Sequence, residues 1–367
     1  MLAAGHTVRV VYVAERFGQD FVDSEIAKQC NTVRKVRFAG VVPTVLRWLA
    51  GMSVSRAWCG SAEAKRVVHE LSLGADVVWV EHLRGAGMLP EELHVPIVWD
   101  AVDALGHLFA GRAELVRNPV KAMVFRHEAR RTQREEQALA EMFAATVAVT
   151  KREADLIGPR VIPIQNGVDF DYFQPENHPV SHSDAPNICM VGRWNYLPNA
   201  HGCAQFLRDV WPTVSHAVPG ATCSIIGPGS ETGTLVADAV SQGPVRESIV
   251  VTGPVTDIRP YIHQSVLTVC PAMLAAGMQN KILESLACGV PVVCTSTAAA
   301  GTIPGGTPGL IPASTHAEMA EAIINLIRNP ETARCIGTDG RAALLQKMSW
   351  TPSYAKIATV LEQVLQR

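Results

Sequence analysis

The stretch "GMQNKILESLACGVPVV" begins at Gly277 and combines a lysine and a glutamate with the start of a helix. The first backbone N–H groups of a helix have no partner within it, and the positive end of the helix dipole favours phosphate oxygens there. Lys281 adds an ammonium group, and Glu284, on the same face, can accept hydrogen bonds from ribose hydroxyls. The stretch therefore indicates a nucleotide-binding site that includes Gly277, Gln279 and Asn280. A surface Lys–Glu pair is the alternative.

A second stretch, "MVGRWNYLPN", follows the first predicted strand of the second half of the chain. Gly192 lets a ligand approach the backbone, and Arg193 offers a fork of donors suited to phosphate oxygens. We predict that Gly192 and Asn199 contact the substrate. Arg193 is thus a candidate phosphate ligand, as is Lys281.

The elements that must position these residues follow an alternating pattern. Short β-branched runs alternate with longer helical patterns, and the series occurs twice. This predicts parallel sheets covered by helices, with ligands at the carboxyl ends of the strands. A chain of 367 residues exceeds one usual core, so two domains are expected. The predicted bounds are 1–165 for the first domain, 166–187 for a polar linker, 188–349 for the second domain and 350–367 for a final helix.

The first residues, "LAAGH", resemble the last turn of a helix with a glycine cap that leads directly into the strand "TVRVVYV". An α/β domain usually begins with a strand and a loop before such a helix. We expect that strand and loop to be missing here, with a short helical N-terminus as the alternative.

Composition limits the classes of function. The net charge of -2 gives no general attraction to nucleic acid, and none is expected as a partner. Nine cysteines without a CxxC pair favour buried free thiols in a reducing compartment. No apolar run reaches the roughly 18 residues of a transmembrane helix, and no signal peptide precedes the first strand. These features predict a cytoplasmic protein.

Motifs for other chemistries are incomplete. "IIGPGSETG" has Thr232 where the dinucleotide-binding fingerprint needs glycine, which favours a glycine-rich turn. Asp169 and Asp171 have the D-x-D spacing of some metal-dependent sugar transferases, but a turn with outward carboxylates is favoured. The segment "RHEARR" lacks the second histidine of the zinc motif HExxH. We predict no metal site and no cofactor.

The order of the motifs is more specific than any one of them. "QNGVDFDYFQP", "MVGRWNYLPN", "VVTGPVTDIRPYI", "GMQNKILESLACGVPVVCTS" and a late "SW" follow one another. This order resembles the retaining glycosyltransferases of family 4, which have the GT-B fold, and especially bacterial enzymes of exopolysaccharide synthesis. The resemblance covers about residues 161–367 and is looser before them.

The resemblance implies two Rossmann-like, doubly wound α/β domains facing each other across a cleft, with the final helix crossing back to the first domain. The second domain would bind a nucleotide diphosphate sugar, and the first a glycan or lipid-linked acceptor. Glu284 would bind the donor ribose, while Arg193 and Lys281 would stabilise the leaving diphosphate. Transfer would retain the anomeric configuration and need no metal.

The chain departs from the family pattern in three places. Ala276 stands where the family's pair of glutamates has its first member, which leaves the donor sugar undefined. Pro198 replaces a common lysine, and we expect Lys281 to supply that charge. The glycine-rich loop after the family's first strand is missing, so an inactive fragment is a further alternative.

For the acceptor side we nominate Asp103, in "WDAVDAL", as a catalytic carboxylate, together with Glu81 and His82 at the end of a strand. Core or surface roles fit these three residues equally well. A basic amphipathic helix near Pro119–Phe143 can either rest on the inner face of an anionic membrane or pack its apolar side on the sheet. Two other functions fit the same architecture: a nucleotide-sugar 2-epimerase and a non-catalytic nucleotide-binding protein.

Overall fold

The computed structural model describes residues 2, 5–13, 24–116, 118–176, 185–231, 234–243, 245–274 and 277–366. These residues form two compact units. The first unit is built from residues up to Ile164 together with those from Lys356 onward, and the second from Gln165–Ala355. Both units alternate strands and helices, as the sequence predicts.

The first unit contains two parallel sheets, one of two strands in the order β1-β2 and one of four in the order β3-β4-β5-β6. Its strands are β1 (Arg9–Val13), β2 (Thr32–Val36), β3 (Val78–Glu81), β4 (Ile97–Val102), β5 (Ala145–Ala148) and β6 (Ile162–Pro163). Its helices are α1 (Glu25–Gln29), α2 (Val41–Leu49), α3 (Val54–Cys59), α4 (Ala62–Ser72), α5 (His82–Ala86), α6 (Leu105–Leu115), α7 (Pro119–Met142) and α8 (Lys151–Ile157).

Buried acids fix the helices of the first unit. Asn118 caps α7, and Pro119 occupies its first position, where a missing N–H costs nothing. Glu136 of α7 accepts hydrogen bonds from the amides of Leu105 (2.6 Å) and Gly106 (3.2 Å) at the start of α6. Amides at a helix start have no acceptor within the helix, and here the buried carboxyl group of Glu136 provides one.

The second unit holds one parallel sheet of six strands in the order β12-β11-β10-β7-β8-β9. Its strands are β7 (Asn187–Val191), β8 (Thr222–Ile226), β9 (Ile249–Gly253), β10 (Leu267–Cys270), β11 (Val292–Thr295) and β12 (Leu310–Ala313). Its helices are α9 (Leu197–Asp209), α10 (Trp211–Ala217), α11 (Leu235–Gln242), α12 (Arg259–His263), α13 (Asn280–Ala287), α14 (Ser296–Thr302), α15 (His316–Arg328), α16 (Pro330–Lys347) and the start of α17 (Trp350–Leu365).

The strand order of this sheet reverses direction at β7. Strands β8 and β9 extend the sheet on one side of β7, and the chain then returns to place β10 on the other side. In doubly wound sheets, ligands bind outside the carboxyl ends of the strands at such a switch point. The loops after β7 and β10 are the two that carry the predicted donor-site residues.

The observed units differ from the predicted domain bounds around the linker. Val168, Phe170 and Phe173 pack on the core of the second unit, so the start of the predicted linker 166–187 belongs to that unit. The apolar side chains of "VDFDYF" explain the difference. Their burial against the core of the second unit is favourable, whereas polar linker residues would stay in solvent. Residues 177–184 of that linker lie outside the described residues.

At the C-terminus, α17 begins in the second unit, and its later residues belong to the first. There Val360, Leu361 and Val364 pack with Val98 and Val147 of the four-stranded sheet. At the other end of the chain, β1 is present, but the ten residues after it lie outside the described ranges. The expected absence of an earlier strand and glycine-rich loop stays a prediction.

Candidate donor site and acceptor-side cluster

The loop after β10 leads into α13, whose start carries the predicted phosphate site. Gly277 is buried and has a φ of +65°, a backbone conformation that a side chain would strain. The amide of Gln279 donates to Thr302 Oγ1 at 3.1 Å, and the amide of Asn280 donates to Met278 O at 3.1 Å. The helix start is therefore braced from within the second unit, and two of its amides are already partnered. The predicted phosphate site would therefore depend more on the nearby cations than on these amides.

A hydrogen-bond chain joins the loops after β7 and β10. Lys281 Nζ donates to Asn199 Oδ1 at 3.1 Å, and Asn199 Nδ2 donates to the backbone oxygen of Arg193 at 3.2 Å. Lys281 and Asn199 are 82 residues apart in sequence, and the switch point brings them together. Three of the predicted site residues thus lie in one connected group.

The loop that carries Arg193 is held by its neighbours. The amides of Gly192 and Trp194 donate to Ile226 O (3.0 Å) and Pro228 O (2.8 Å), and the Trp194 ring is buried. A Cβ atom at Gly227, where φ is +118°, would lie only 2.1 Å from Gly192 O. The glycines of "IIGPG" therefore let the β8 loop approach the Arg193 loop closely. This is the role of a glycine-rich turn.

Arg193 itself points its charge outward. The residue is exposed, and no ion pair to it occurs within the described part of the chain. An arginine on a rigid loop without a carboxylate partner keeps its donors available for a phosphate or another anion.

Glu284 follows Lys281 by three residues on α13 and is half-buried. Burial raises the pKa of its carboxyl group, and the charge of Lys281 opposes this in part. Within the described residues no hydrogen bond reaches this carboxylate. A half-buried acceptor without donors is costly, because burial removes its water. Hydroxyl donors of a ligand would satisfy it.

In the first unit, the predicted acceptor-side residues lie at the carboxyl ends of β3 and β4. Glu81 pairs in register with Asp100 on the neighbouring strand, and Asp103 follows β4 directly. Burial, with smaller contributions from Glu153 and Asp100, raises the pKa of Asp103 to about 6. A carboxyl group with such a pKa exchanges protons near neutral pH, as a general base must.

The backbone at this edge is strained. Val102 has a φ of +62° and His82 a φ of +59°, and a β-branched residue rarely adopts that region. Burial lowers the pKa of His82, and the charge of Glu81 opposes that effect. The first unit therefore presents Glu81, His82 and Asp103 on one sheet edge, built from two neighbouring strands.

The other weighed motifs have local roles. Asp169 Oδ1 accepts from the amides of Asp171 (3.1 Å) and Tyr172 (2.9 Å), which is a turn that its own carboxylate closes. Among the described residues, no group of three or more His, Cys, Asp or Glu side chains could hold a metal ion.

Sequence reasoning missed two residues that hold the candidate donor site together. Thr302 is fully buried in α14 and orients the start of α13, and Asn166 Nδ2 donates to Asn280 Oδ1 at 3.2 Å. Nothing in the "AAAGT" run around Thr302 signals this contact. Asn166 lies in the quoted "QNG" motif, which could have identified it.

A cavity of about 220 Å³ was also not anticipated. It lies in the second unit between α9 and the carboxyl ends of β10, β11 and β12. Hydroxyl groups of Thr295, Ser296 and Ser314 line it, together with His316.

Comparison with known proteins agrees with this architecture. A protein-family profile described as "Glycosyl transferases group 1" matches residues 185–329. The chain is 27% identical over 212 residues to the GDP-mannose-dependent alpha-(1-6)-phosphatidylinositol monomannoside mannosyltransferase of Mycolicibacterium smegmatis. That alignment covers 53% of this chain and 54% of the relative, so the chain matches about half of the relative's length.

Solved structures extend the similarity over nearly the whole chain. Sucrose-phosphate synthase from Thermosynechococcus elongatus has a TM-score of 0.71 at 16% identity, covering 99% of this chain and 90% of the other. Anabaena HepE in complex with UDP-glucose has a TM-score of 0.67 at 14% identity, covering 92% and 87%. A glycosyltransferase from Rickettsia africae has a TM-score of 0.66 at 14% identity, covering 100% and 92%. These similarities establish the fold, which is GT-B.

Proposed function

We propose that the protein transfers a sugar from a nucleotide diphosphate sugar to a glycan or lipid-linked acceptor, with retention of configuration and without a metal. The observation that carries the proposal is the group at the switch point of the second unit. There Arg193 and Lys281 supply cations, and Glu284 supplies an acceptor that the described residues leave without a donor.

Each part of a nucleotide diphosphate has a matching group in this site. The two vicinal ribose hydroxyls can donate to the Glu284 carboxylate, which would satisfy it. The diphosphate would lie toward the start of α13, within reach of Lys281 on the helix and Arg193 on the facing loop. Asn199 holds the Lys281 ammonium in place without neutralising it. The charge of both cations is thus kept for the ligand.

The names of the similar proteins favour this class of donor. The mycolicibacterial relative depends on GDP-mannose, and the Anabaena structure holds UDP-glucose. The relative's acceptor is a phosphatidylinositol mannoside, which favours a lipid-linked acceptor for this protein as well. A role in cell-surface or exopolysaccharide synthesis fits both partners. Ala276, the position that bears on the donor sugar, lies outside the described residues.

The chemical step would depend on electrostatic stabilisation. As the bond between the sugar and the β-phosphate oxygen breaks, negative charge grows on that phosphate, and the two cations stabilise the charge more in the transition state than in the ground state. The acceptor hydroxyl loses its proton as it attacks. We assign proton acceptance to Asp103, whose pKa of about 6 suits a base at neutral pH.

Product analysis tests the proposal. The protein is incubated with UDP-, GDP- and ADP-sugars and a set of glycan and lipid-linked acceptors, with and without chelator. The expected result is nucleoside diphosphate released in step with a new α- or β-linkage that matches the donor anomer by NMR, unchanged by chelator. Nucleotide release or an epimerised sugar without acceptor would instead identify an epimerase. Binding without turnover against every acceptor would contradict the transfer function.

A further inference from the structure

The cavity at the carboxyl ends of β10, β11 and β12 has an apolar floor and a polar rim. Its floor includes three buried side chains of α9, α15 and the turn after α9: Phe206, Met319 and Val210. Ser314 and His316, which are exposed, lie at the rim. Apolar walls with a few placed polar groups are typical of a small-molecule binding site.

Close contacts fix the walls of the cavity. A Cβ atom at Gly202 of α9 would lie only 2.1 Å from Pro271 O, so this helix packs directly on the loop after β10. Thr295 Oγ1, at the end of β11, donates to Ala272 O in the same loop at 2.6 Å. The cavity is therefore preformed, and a ligand would lose little free energy to ordering its walls.

One buried polar atom of the cavity lacks a partner. Gln205 of α9 lines the cavity, and its side-chain oxygen is buried and accepts no hydrogen bond from any described residue. A buried acceptor without a donor is destabilising, because burial has removed the water that would otherwise bind it. A hydroxyl donor of a ligand in the cavity would satisfy this oxygen.

The rim offers both donors and acceptors. Ser296 Oγ and Ser314 Oγ are 2.9 Å apart, and either one can be the donor. A hydroxyl has one hydrogen and two lone pairs, so the serine that accepts keeps its own hydrogen for a ligand. His316 Nδ1 lies 3.8 Å from Asp209 Oδ2, and its Nε2 makes no hydrogen bond within the described part of the chain.

The charges around the cavity disfavour an anion. No lysine or arginine is among the described residues that line it, and Asp209 lies beside His316. At the start of α15, Glu318 accepts from the amide of Ser314 at 2.8 Å, and its own amide donates to Thr315 Oγ1 at 3.1 Å. The protein thus uses its own carboxylate and hydroxyl at this helix start. A neutral polar ligand fits better.

We propose that the cavity binds a single pyranose ring, either as a free sugar or as one residue of a glycan. A sugar ring combines C–H surface, which suits the floor, with several hydroxyls that each donate and accept. The volume of about 220 Å³ equals that of about seven water molecules and lies below the roughly 300 Å³ at which pockets for drug-sized ligands begin. The cavity thus suits one ring better than a whole nucleotide. An apolar ligand would leave the Gln205 oxygen unpaired.

This site is separate from the candidate donor site. None of the donor-site residues Arg193, Asn199, Lys281 and Glu284 lines the cavity. Binding of a sugar ring in the cavity needs neither a nucleotide nor a transfer step, so the proposal goes beyond the proposed function.

Ligand-observed NMR and calorimetry with the whole protein test the proposal. The probes are glucose, mannose and galactose, their methyl α-glycosides, and disaccharides that end in each of them. We expect one of these rings to bind with a dissociation constant on the order of 1 mM, because a few hydrogen bonds must outweigh the lost freedom of the ligand. Binding of the glycoside and the disaccharide identifies a glycan residue as the ligand, whereas binding of the free sugar alone identifies a small molecule.

Substitutions assign the binding to the cavity. Gln205→Leu removes the acceptor at similar size, so it should weaken sugar binding at least about tenfold while the free energy of unfolding stays the same or rises. Ser314→Trp, at an exposed position of the rim, should block the cavity. Gln242→Leu changes an exposed glutamine on α11, outside the cavity, and should bind the sugar like wild type. All three variants should bind UDP and GDP like wild type, which keeps this test separate from the proposed function.

Three results would overturn the proposal. The first is wild-type protein that binds none of the sugar probes. The second is equal sugar affinity in wild type, Gln205→Leu and Ser314→Trp, which would place the sugar elsewhere on the protein. The third is binding of inorganic sulfate that Ser314→Trp abolishes, without sugar binding by wild type, which would identify an anion site.

Discussion

Replacing Glu284 by glutamine separates a binding role from a structural one. Glutamine keeps the size of the side chain and one acceptor oxygen, but it removes the negative charge. The carboxylate is half-buried, and no hydrogen bond from the described residues stabilises it. The substitution should therefore cost the free protein nothing while it weakens the donor complex.

The expected magnitudes follow from these contacts. A hydrogen bond to a charged group contributes about 1.5–3 kcal/mol, against about 0.5–1.5 kcal/mol for a neutral one. Losing the charge should weaken nucleoside diphosphate binding by about 1–2 kcal/mol, or roughly 5- to 30-fold. The free energy of unfolding at pH 7 should stay the same or rise. Because burial raises the pKa of Glu284, the folded state holds its proton more tightly, so wild type gains stability relative to the variant as pH falls.

Isothermal titration calorimetry with UDP, GDP and ADP measures the affinity, and urea unfolding at several pH values measures the stability. Glu321→Gln is the matched control, because Glu321 is exposed on α15 of the same unit, and neither quantity should change. The reasoning is refuted if Glu284→Gln lowers the unfolding free energy by more than about 1 kcal/mol and leaves nucleotide affinity unchanged. Glu284 would then be a structural partner of Lys281.

Three other perturbations test contacts that hold the two units and the candidate site in place. Gly227→Ala should lower the unfolding free energy by about 2–4 kcal/mol, because its Cβ would meet backbone at 2.1 Å, whereas Gly220→Ala, with a φ of +85° and open space, should cost only about 1–2 kcal/mol. Burial raises the pKa of Glu136 to about 8, so wild-type stability should fall by up to about 1.4 kcal/mol per pH unit as pH rises from roughly 4.5 to 8, and Glu136→Gln should flatten this slope. A double-mutant cycle of Asn199→Ala and Lys281→Ala should show about 0.5–1.5 kcal/mol of coupling in nucleotide affinity, measured by calorimetry.

Each of these has a contrary outcome. Equal unfolding free energies for Gly227→Ala and Gly220→Ala would mean that the two loops are not in close contact. An unchanged pH slope in Glu136→Gln would mean that this carboxyl group titrates normally in the folded protein. Additive effects of Asn199→Ala and Lys281→Ala would mean that the hydrogen bond between them does not orient the lysine for the ligand.

The fold could be predicted from the sequence because the patterns that indicate its strands and helices are local. Strand β10, "LTVC", is short, rich in β-branched residues and buried along its whole length, as expected for a parallel strand covered on both faces. The alternation of such strands with helices determines the α/β class. Neighbouring glycines, polar groups and spacing identified three site candidates in the sequence: Arg193, Asn199 and Lys281. Predicting that these residues contact one another requires one further inference, that the strand order reverses between β7 and β10. The doubly wound pattern implies this switch point.

What the sequence could not supply depends on long-range packing. The amide of Gln279 is satisfied by Thr302, a partner 23 positions away that no local pattern reveals. An amphipathic helix such as α2 has the same sequence pattern whether its apolar side faces a core or solvent, so only the structure shows the exposed side. The strained backbone at Val102, beside Asp103, likewise has no signal in the residue types.

The most direct test of the central claim is a crystal structure of the protein with a bound nucleoside diphosphate. The account predicts the diphosphate beside the start of α13, with oxygens within about 3 Å of Arg193 and Lys281, and the ribose hydroxyls on Glu284. A nucleotide bound elsewhere, for example in the cavity beside His316, with Glu284 still lacking a hydrogen-bond donor, would contradict it.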